Sequence, residues 1–432
     1  MAIPSLRLFA LSALVAFAQI PDPELLRHIQ QIRAIDNHGH PLKVVAEGEK
    51  PDDEYDALTF EEMEPFPTPL RIRPENPEWQ SAWKTLWGYS GKDPKEVVET
   101  KKRFQREHGD RYPAWVLDKL GIETHLANRV AMGRGLTAPR FRWVSMIDAL
   151  IFPLSNEAAR QENPDYRSFY PGVERVLKRY LKESGVAALP GTLEQYVKLV
   201  VTPTLERQKQ QGAVGVKFEA AYLRKLDFLP TPGAAAGAVY SKWAKGGAPP
   251  AADYKKLQDY LFFQVAREAG RLGLAVHIHA CGGAGGYYKL SGTNPLLLDE
   301  AFNDPTLRKT NFVLIHAGWP GFERQIAFLL VKPNVYVDTS AISFVVWPHD
   351  LARVLRTWLE VMPEKVLFGT DVEPFSPEIN WEETGWLTTT TVRRALAMAL
   401  TGMLEDGEIT REQARQFAEW VMRENARKLY GL

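Results

Sequence analysis

Cysteine is nearly absent from this sequence, which carries one, Cys281, in 432 residues. A single cysteine cannot form an intrachain disulfide, and it excludes zinc modules that are built from several cysteines. Net charge is absent too, because 53 basic residues balance 53 acidic ones. The chain therefore has no overall electric field that would recruit nucleic acid or an anionic membrane surface.

The sequence also predicts no stable membrane span. The apolar run at the N-terminus, Leu8 to Phe17, is shorter than the roughly 20 residues that a transmembrane helix needs. It follows Arg7 and ends in Ala16-Phe17-Ala18, a small-x-small pattern that suits signal peptidase. This pattern predicts a signal peptide over residues 1–18 and export to the periplasm or beyond. If the segment is not cleaved, the protein is expected in the cytoplasm.

The rest of the chain, residues 19–432, has ordinary globular composition, with 45% hydrophobic and 25% charged residues. Short apolar runs that end in polar residues or glycine predict eight strands, with helical patterns between the later ones. The predicted strands are Ala34–His40, Leu126–Met132, Phe141–Ile147, Ala213–Glu219, Leu274–His279, Asn311–His316, Asn334–Asp338 and Lys365–Asp371. This order predicts an α/β fold, a (β/α)₈ TIM barrel, whose chemistry would lie at the carboxyl ends of the strands. Residues 44–120 are interpreted as a helical and loop insertion after strand one, and Gly233–Gly247 as a surface loop.

Two His-x-His motifs stand at predicted strand ends, His38-Gly39-His40 and His277-Ile278-His279. With nine histidines in the chain, less than one such motif is expected by chance. Residues two apart in a strand point to the same side, so both imidazoles of a pair can reach one cation. Neutral imidazole is a common ligand of zinc and similar ions. Each pair taken alone could instead be a hydrogen-bonded pair in the core.

His316 ends the apolar run Phe312-Val313-Leu314-Ile315, and Asp371 ends Val366-Leu367-Phe368-Gly369-Thr370. Burying such polar groups is costly unless they are paired or bind a metal. A capping aspartate or a core histidine would explain either residue alone. Polar residues at the ends of strands one, five, six and eight together indicate one shared site.

These motifs resemble the amidohydrolase superfamily, in its amidohydrolase-related (type 2) branch. That branch includes 2-pyrone-4,6-dicarboxylate lactonase and aminocarboxymuconate-semialdehyde decarboxylase. The residues that carry the resemblance are His38-Gly39-His40, His279, His316-Ala317-Gly318, Phe368-Gly369-Thr370-Asp371, Glu424-Asn425-Ala426 and Leu429-Tyr430-Gly431. The resemblance extends from about Ile35 to Leu432 and is densest from Gly212 onward, and it leaves residues 44–120 without a matching motif.

The resemblance implies a divalent metal at the mouth of the barrel, with Zn²⁺ expected, Mn²⁺ as an alternative, and one or two ions. Its ligands would be His38, His40, His279 and Asp371. Asp371 would also act as general base on a metal-activated water. His316 would polarise a substrate carbonyl and stabilise the oxyanion, or bind a second metal.

Lys217, at the end of strand four, has three interpretations that the sequence leaves open. It could be carboxylated and bridge two metals, it could pair with Glu219, or it could bind a substrate carboxylate. Glu219, Tyr222 and Arg224 are candidates for substrate binding. For Tyr222 and Arg224, an ordinary place on the loop surface is the competing interpretation.

The activity that the resemblance implies is hydrolysis of a C–O or C–N bond in a small organic substrate. The alternative is a metal-dependent, non-oxidative decarboxylase, which would use the same ligands and release CO₂. A non-catalytic binding barrel is disfavoured, because the implied ligands and base are all present. The expected partner is a small molecule, and a homo-oligomer remains open.

Overall fold

The computed structural model describes residues 20–59, 63, 65–280 and 282–432. Its sheet has eight parallel strands in sequential order. They are β1 (Ala34–Gly39), β2 (Ile122–Arg129), β3 (Phe141–Met146), β4 (Ala213–Phe218), β5 (Ala275–His279), β6 (Phe312–Ile315), β7 (Val335–Asp338) and β8 (Val366–Leu367). Helices lie in every connection between consecutive strands except residues 130–140, between β2 and β3, and they cover the outer face of the sheet.

The sheet closes on itself between β8 and β1. Beyond Leu367 the chain continues beside β1, where the Asn37 amide donates to the Phe368 carbonyl at 2.9 Å. The Asp371 amide donates to the His38 carbonyl at 2.8 Å in the same way. This closure confirms the predicted (β/α)₈ barrel.

Helices surround the barrel. They are α1 (Pro23–Gln31), α2 (Glu78–Trp87), α3 (Pro94–His108), α4 (Tyr112–Leu120), α5 (Glu157–Glu162), α6 (Phe169–Glu183), α7 (Leu193–Tyr196), α8 (Thr202–Gln210), α9 (Gly233–Trp243), α10 (Ala251–Arg271), α11 (Asp299–Asn303), α12 (Glu323–Ala327), α13 (Ile342–Val345), α14 (Pro348–Leu359), α15 (Trp381–Glu405), α16 (Arg411–Glu419) and α17 (Asn425–Tyr430). None of the helices in the described ranges is both long and apolar enough to cross a membrane. The predicted signal peptide, residues 1–18, lies outside the described residues.

The predicted loop after strand four was wrong. The segment predicted as a surface loop, Gly233–Gly247, contains helix α9. Its run of alanines has the highest intrinsic helix propensity, and Ala236, Val239 and Tyr240 recur at helical spacing and are buried. The buried face packs on α10, and this packing outweighs the entropic cost of two glycines.

Within residues 44–120, interpreted as an insertion, the described residues form helices α2, α3 and α4 and a largely irregular stretch before α2. Buried polar contacts hold the helices on α15. Lys101 makes a 2.8 Å ion pair with Glu383, and the Tyr112 hydroxyl donates to Glu382 at 2.8 Å. The segment is therefore packed on the barrel and places its first part beside the carboxyl ends of the strands.

The seam between β1 and the end of β8 is held by the buried carboxylate of Asp36. Its Oδ2 accepts from the Thr370 hydroxyl at 2.6 Å and lies 2.8 Å from His125 Nδ1. Its Oδ1 accepts from the Thr370 amide at 3.0 Å. This cluster fixes the position of Asp371, the next residue along the chain.

Replacing Thr370 by valine should therefore lower the free energy of unfolding by about 1–3 kcal/mol, because the buried Asp36 carboxylate loses one of its hydrogen-bond donors. Urea unfolding of the metal-free protein would measure the change. Thr357→Val is the matched control, since the Thr357 hydroxyl makes a solvent-exposed bond to the Arg353 carbonyl. Equal stability of the two variants would contradict the assigned role of Thr370.

Candidate active site

The predicted site residues converge at the carboxyl ends of the barrel strands. His38 lies in β1, Lys217 in β4 and His279 at the end of β5, while His316 and Asp371 follow β6 and β8. The four side chains other than Asp371 are at most 4% exposed, and the Asp371 side chain is 14% exposed. Alternation along each strand directs these groups inward, and the parallel arrangement brings the strand ends to one mouth.

Asp371 contacts three imidazoles. Its Oδ1 lies 2.9 Å from His38 Nε2 and 3.7 Å from His40 Nε2, and its Oδ2 lies 3.7 Å from His316 Nδ1. Potential ligand atoms of His38, His316 and Asp371 lie within 4.8 Å of one another. The same spacing holds for His40, Asp371 and Glu373. These distances suit a site for a cation with mixed nitrogen and oxygen ligands.

His279 completes this cluster from the side of β5. Its ring centroid lies 4.7 Å from that of His316, and its Nε2 is buried without a hydrogen-bond partner among the described residues. A buried polar nitrogen without a partner is costly, and a bound cation would satisfy it. The residues present therefore fit a divalent metal.

Burial controls the charge of the cluster. It lowers the pKa values of His38, His279 and His316 well below the usual value, and Lys217 adds to this effect. Burial likewise lowers the pKa of His40 to about 4. The imidazoles are therefore neutral at pH 7, which is the form that binds metals. Burial raises the pKa of Asp371 to about 8 in the metal-free protein, and a nearby cation would favour its ionised form.

Lys217 is fully buried inside the barrel. Its Nζ lies 3.3 Å from His38 Nε2 and 3.8 Å from Glu219 Oε1. The Glu219 amide donates to Asp148, and burial together with Asp56 raises the pKa of the Glu219 carboxyl well above its usual value. Lys217 and Glu219 thus lie next to the imidazole cluster, between β1 and the end of β4.

Tyr222 and Arg224 have different surroundings. The Tyr222 ring lies 4.8 Å from the His279 ring, so Tyr222 forms part of the wall of the site. Arg224 makes a 2.7 Å ion pair with Asp259 and packs over the Phe228 ring, away from the imidazoles. Both residues line a neighbouring cavity of about 460 Å³.

The glycine-rich loop after β5 lies against this aromatic wall. A Cβ on Gly283 would lie 2.7 Å from Tyr222 Oη, and one on Gly285 would lie 2.5 Å from Tyr166 Oη. The Ala284 amide donates to Tyr222 Oη at 3.2 Å. Glycine is thus required for the loop to approach the tyrosines this closely.

The backbone is strained where the site residues leave the strands. His316 and Asp371 adopt φ values of 65° and 60°, and Ala317 and Ala341 are also left-handed. Residues other than glycine adopt such angles at a cost, and they do so most often where a side chain must be aimed. The strain therefore marks the same strand ends as the polar residues.

Sequence reasoning missed the residues that orient His316. The Ser340 hydroxyl donates to Asp338 Oδ1 at 2.6 Å and lies 3.0 Å from His316 Nδ1. Because its only hydrogen is directed to Asp338, the hydroxyl accepts from His316 Nδ1–H. The His316 tautomer therefore leaves Nε2 as an acceptor. Asp338, at the end of β7, offered a signal in the sequence, since it ends an apolar strand as Asp371 does.

A second network lies one layer deeper in the barrel. His277 Nε2 lies 2.7 Å from the Tyr430 hydroxyl, which donates to Asn37 Oδ1. The Asn37 amide group in turn donates to Asp338 Oδ2 at 2.9 Å. His277 is therefore engaged by the C-terminal residues, while His279 faces the cluster.

The amidohydrolase family model matches residues 144–432, more than half of the chain. Protein fluG of Emericella nidulans is 32% identical over 126 residues, which are 29% of this chain and 14% of that protein. The chain thus spans a small part of the length of this curated relative.

Solved structures share the fold at low sequence identity. Glucuronate isomerase from Caulobacter crescentus aligns with a TM-score of 0.62 and 13% identity, covering 94% of this chain and 93% of that one. A Lactobacillus casei protein described as a metal-dependent hydrolase aligns with a TM-score of 0.58 and 16% identity, covering 95% and 98%. At these identities the likeness supports the fold alone.

Proposed function

Since the chain belongs to the amidohydrolase family, we propose that it is a metal-dependent hydrolase that cleaves a C–O or C–N bond of a small organic substrate. One observation carries this proposal. Four neutral imidazoles and the Asp371 carboxyl group converge at the mouth of the barrel, and three of the imidazoles lie within 3.7 Å of Asp371.

His38, His40, His279 and Asp371 are the proposed ligands of a divalent ion, with Zn²⁺ expected from the nitrogen and oxygen donors. When bound, such an ion lowers the pKa of a water molecule and polarises the substrate carbonyl. The neutral imidazoles support this assignment, as does His279 Nε2, which has no hydrogen-bond partner in the part of the chain that the structure describes.

Asp371 is the proposed general base. Its Oδ2 faces His316 and its side chain is partly exposed, so a water molecule can reach it from the mouth of the barrel. In the reaction the water oxygen bonds to the carbonyl carbon and its proton moves to Asp371. The bond to the leaving oxygen or nitrogen then breaks, and Asp371 returns the proton to that atom.

His316 is better suited to accept than to donate through Nε2. Its Nδ1–H is directed to Ser340, and burial keeps the ring neutral. A neutral imidazole in this tautomer has a lone pair on Nε2, which suits a metal ligand or a hydrogen-bond acceptor. This favours an acceptor role for His316 Nε2 over the role of an oxyanion donor.

Oxygen labelling tests the reaction class. The purified protein would be screened against small lactones, amides and carboxylated aromatic compounds in H₂¹⁸O, with mass spectrometry of the products and measurement of CO₂. We expect one ¹⁸O atom in the product carboxylate and no CO₂, because hydrolysis adds water across the cleaved bond. Release of CO₂ from a substrate without ¹⁸O incorporation would replace the hydrolase proposal by the decarboxylase alternative.

A further inference from the structure

His40 has a carboxylate on each side of its ring. Its Nε2 faces Asp371 Oδ1 at 3.7 Å, and its Nδ1 lies 3.2 Å from Asp56 Oδ2. The Tyr55 carbonyl oxygen lies 3.5 Å from the same Nδ1. Asp56 Oδ2 and the Tyr55 carbonyl oxygen are both hydrogen-bond acceptors, so a proton on Nδ1 would be directed toward them.

Asp56 belongs to the part of residues 44–120 that has no matching family motif, and it is held firmly. Its Oδ1 accepts from the Leu58 amide at 2.8 Å, and its side chain is 5% exposed. Upstream, buried Asp52 makes a 2.8 Å ion pair with Arg129 at the end of β2. The carboxylate is thus fixed by its own turn and by an anchor to the barrel.

We propose that Asp56 is a positioning residue that holds His40 in the Nδ1–H tautomer, with the Nε2 lone pair directed at the metal site. A carboxylate behind a ligating imidazole fixes the ring orientation and strengthens the nitrogen as a ligand. The consequence for metal affinity rests on the proposed function, whereas the tautomer is a property of the metal-free chain. In this arrangement the segment after β1 completes the site.

A competing arrangement uses the same atoms. Potential ligand atoms of His40, Asp56 and Glu219 lie within 4.8 Å of one another, and Glu219 Oε2 is buried without a partner among the described residues. A cation there would need a lone pair on His40 Nδ1, whereas our proposal places a proton on that atom. The two arrangements therefore predict opposite tautomers.

The test is nitrogen NMR of the metal-free protein labelled with ¹⁵N-histidine, with His40 assigned from a His40→Gln variant. We expect the wild-type His40 to carry its proton on Nδ1. In Asp56→Asn the side-chain oxygen stays on the Leu58 amide, so the NH₂ group faces Nδ1 and should move the proton to Nε2. Zinc affinity, measured by competition with a chromophoric chelator, should fall about 10–100-fold.

Asp53→Asn is the matched control, because Asp53 is an exposed carboxylate of the same segment that pairs with Lys50. This variant should keep the wild-type tautomer and zinc affinity. A wild-type His40 with its proton on Nε2, or an Asp56→Asn variant that matches wild type in tautomer and affinity, would overturn the proposal. If Asp56→Asn does not fold, the tautomer of wild-type His40 still tests the proposal, because a proton on Nε2 would overturn it. Wild-type protein that binds no zinc would refute the proposed function, and the tautomer would still be measurable.

Discussion

Replacing Asp371 by asparagine is expected to lower kcat by about 10²–10⁴-fold, the usual contribution of a positioned general base. The amide cannot take a proton from water, although it fills the same space beside His38 and His316. Asparagine also tolerates the left-handed φ of 60° at this position better than most residues. The loss should therefore come from chemistry and not from the backbone. Steady-state kinetics on the substrate found by the ¹⁸O screen would measure it.

Stability provides the control for this variant. In the metal-free protein, burial raises the pKa of Asp371 from 3.8 to about 8, so ionisation destabilises the fold increasingly as the pH rises through this window. Asparagine mimics the neutral carboxyl group, so metal-free Asp371→Asn should gain stability relative to wild type between pH 4 and 8. Asp350→Asn, at an exposed position, should change neither activity nor this pH dependence. An Asp371→Asn variant that keeps more than a tenth of wild-type kcat would exclude Asp371 as the general base.

The sequence could predict the barrel and most of the cluster because both follow from local patterns. An apolar run that ends in a polar residue locates a strand end, and the period of two places His38 and His40 on one side. The same reasoning placed His316 and Asp371 at strand ends. The same reasoning overestimated the length of β8. Only Val366 and Leu367 form regular strand, and the chain then continues beside β1 in an irregular conformation.

Contacts between distant parts of the chain could not be predicted in this way, because no local sequence pattern indicates them. Asn37 meets Tyr430 across nearly the whole sequence, and His40 meets Asp56 through a segment without strand or helix periodicity. Ser340 orients His316 only because β6 and β7 are neighbours in the closed barrel. Such partners are set by the tertiary structure, so the ligands were more predictable than the residues that orient them.

Changing both His38 and His40 to alanine is expected to abolish metal binding. Each imidazole presents Nε2 to Asp371, and a chain that keeps only His279 and Asp371 from the proposed set has half of the ligands. Plasma mass spectrometry of protein purified without chelator should give close to one ion per wild-type chain and none in the variant. His28→Ala/His349→Ala removes two histidines that pair with Glu419 and Asp350 outside the cluster, and should keep the wild-type content.

The number of ions also decides the role of Lys217. One ion is expected because Lys217 Nζ, 3.3 Å from His38 Nε2, occupies the space beside the first ligand and carries no oxygen to bridge a second ion. Two ions that appear only in bicarbonate buffer would require a carboxylated Lys217, because carboxylation converts the amine into an oxygen donor. No ion in wild type, with both double variants folded as judged by circular dichroism, would overturn the metal-dependent mechanism. The imidazoles would then have to be explained as a hydrogen-bonded core, which disagrees with His279 Nε2, a buried atom that has no hydrogen-bond partner among the described residues.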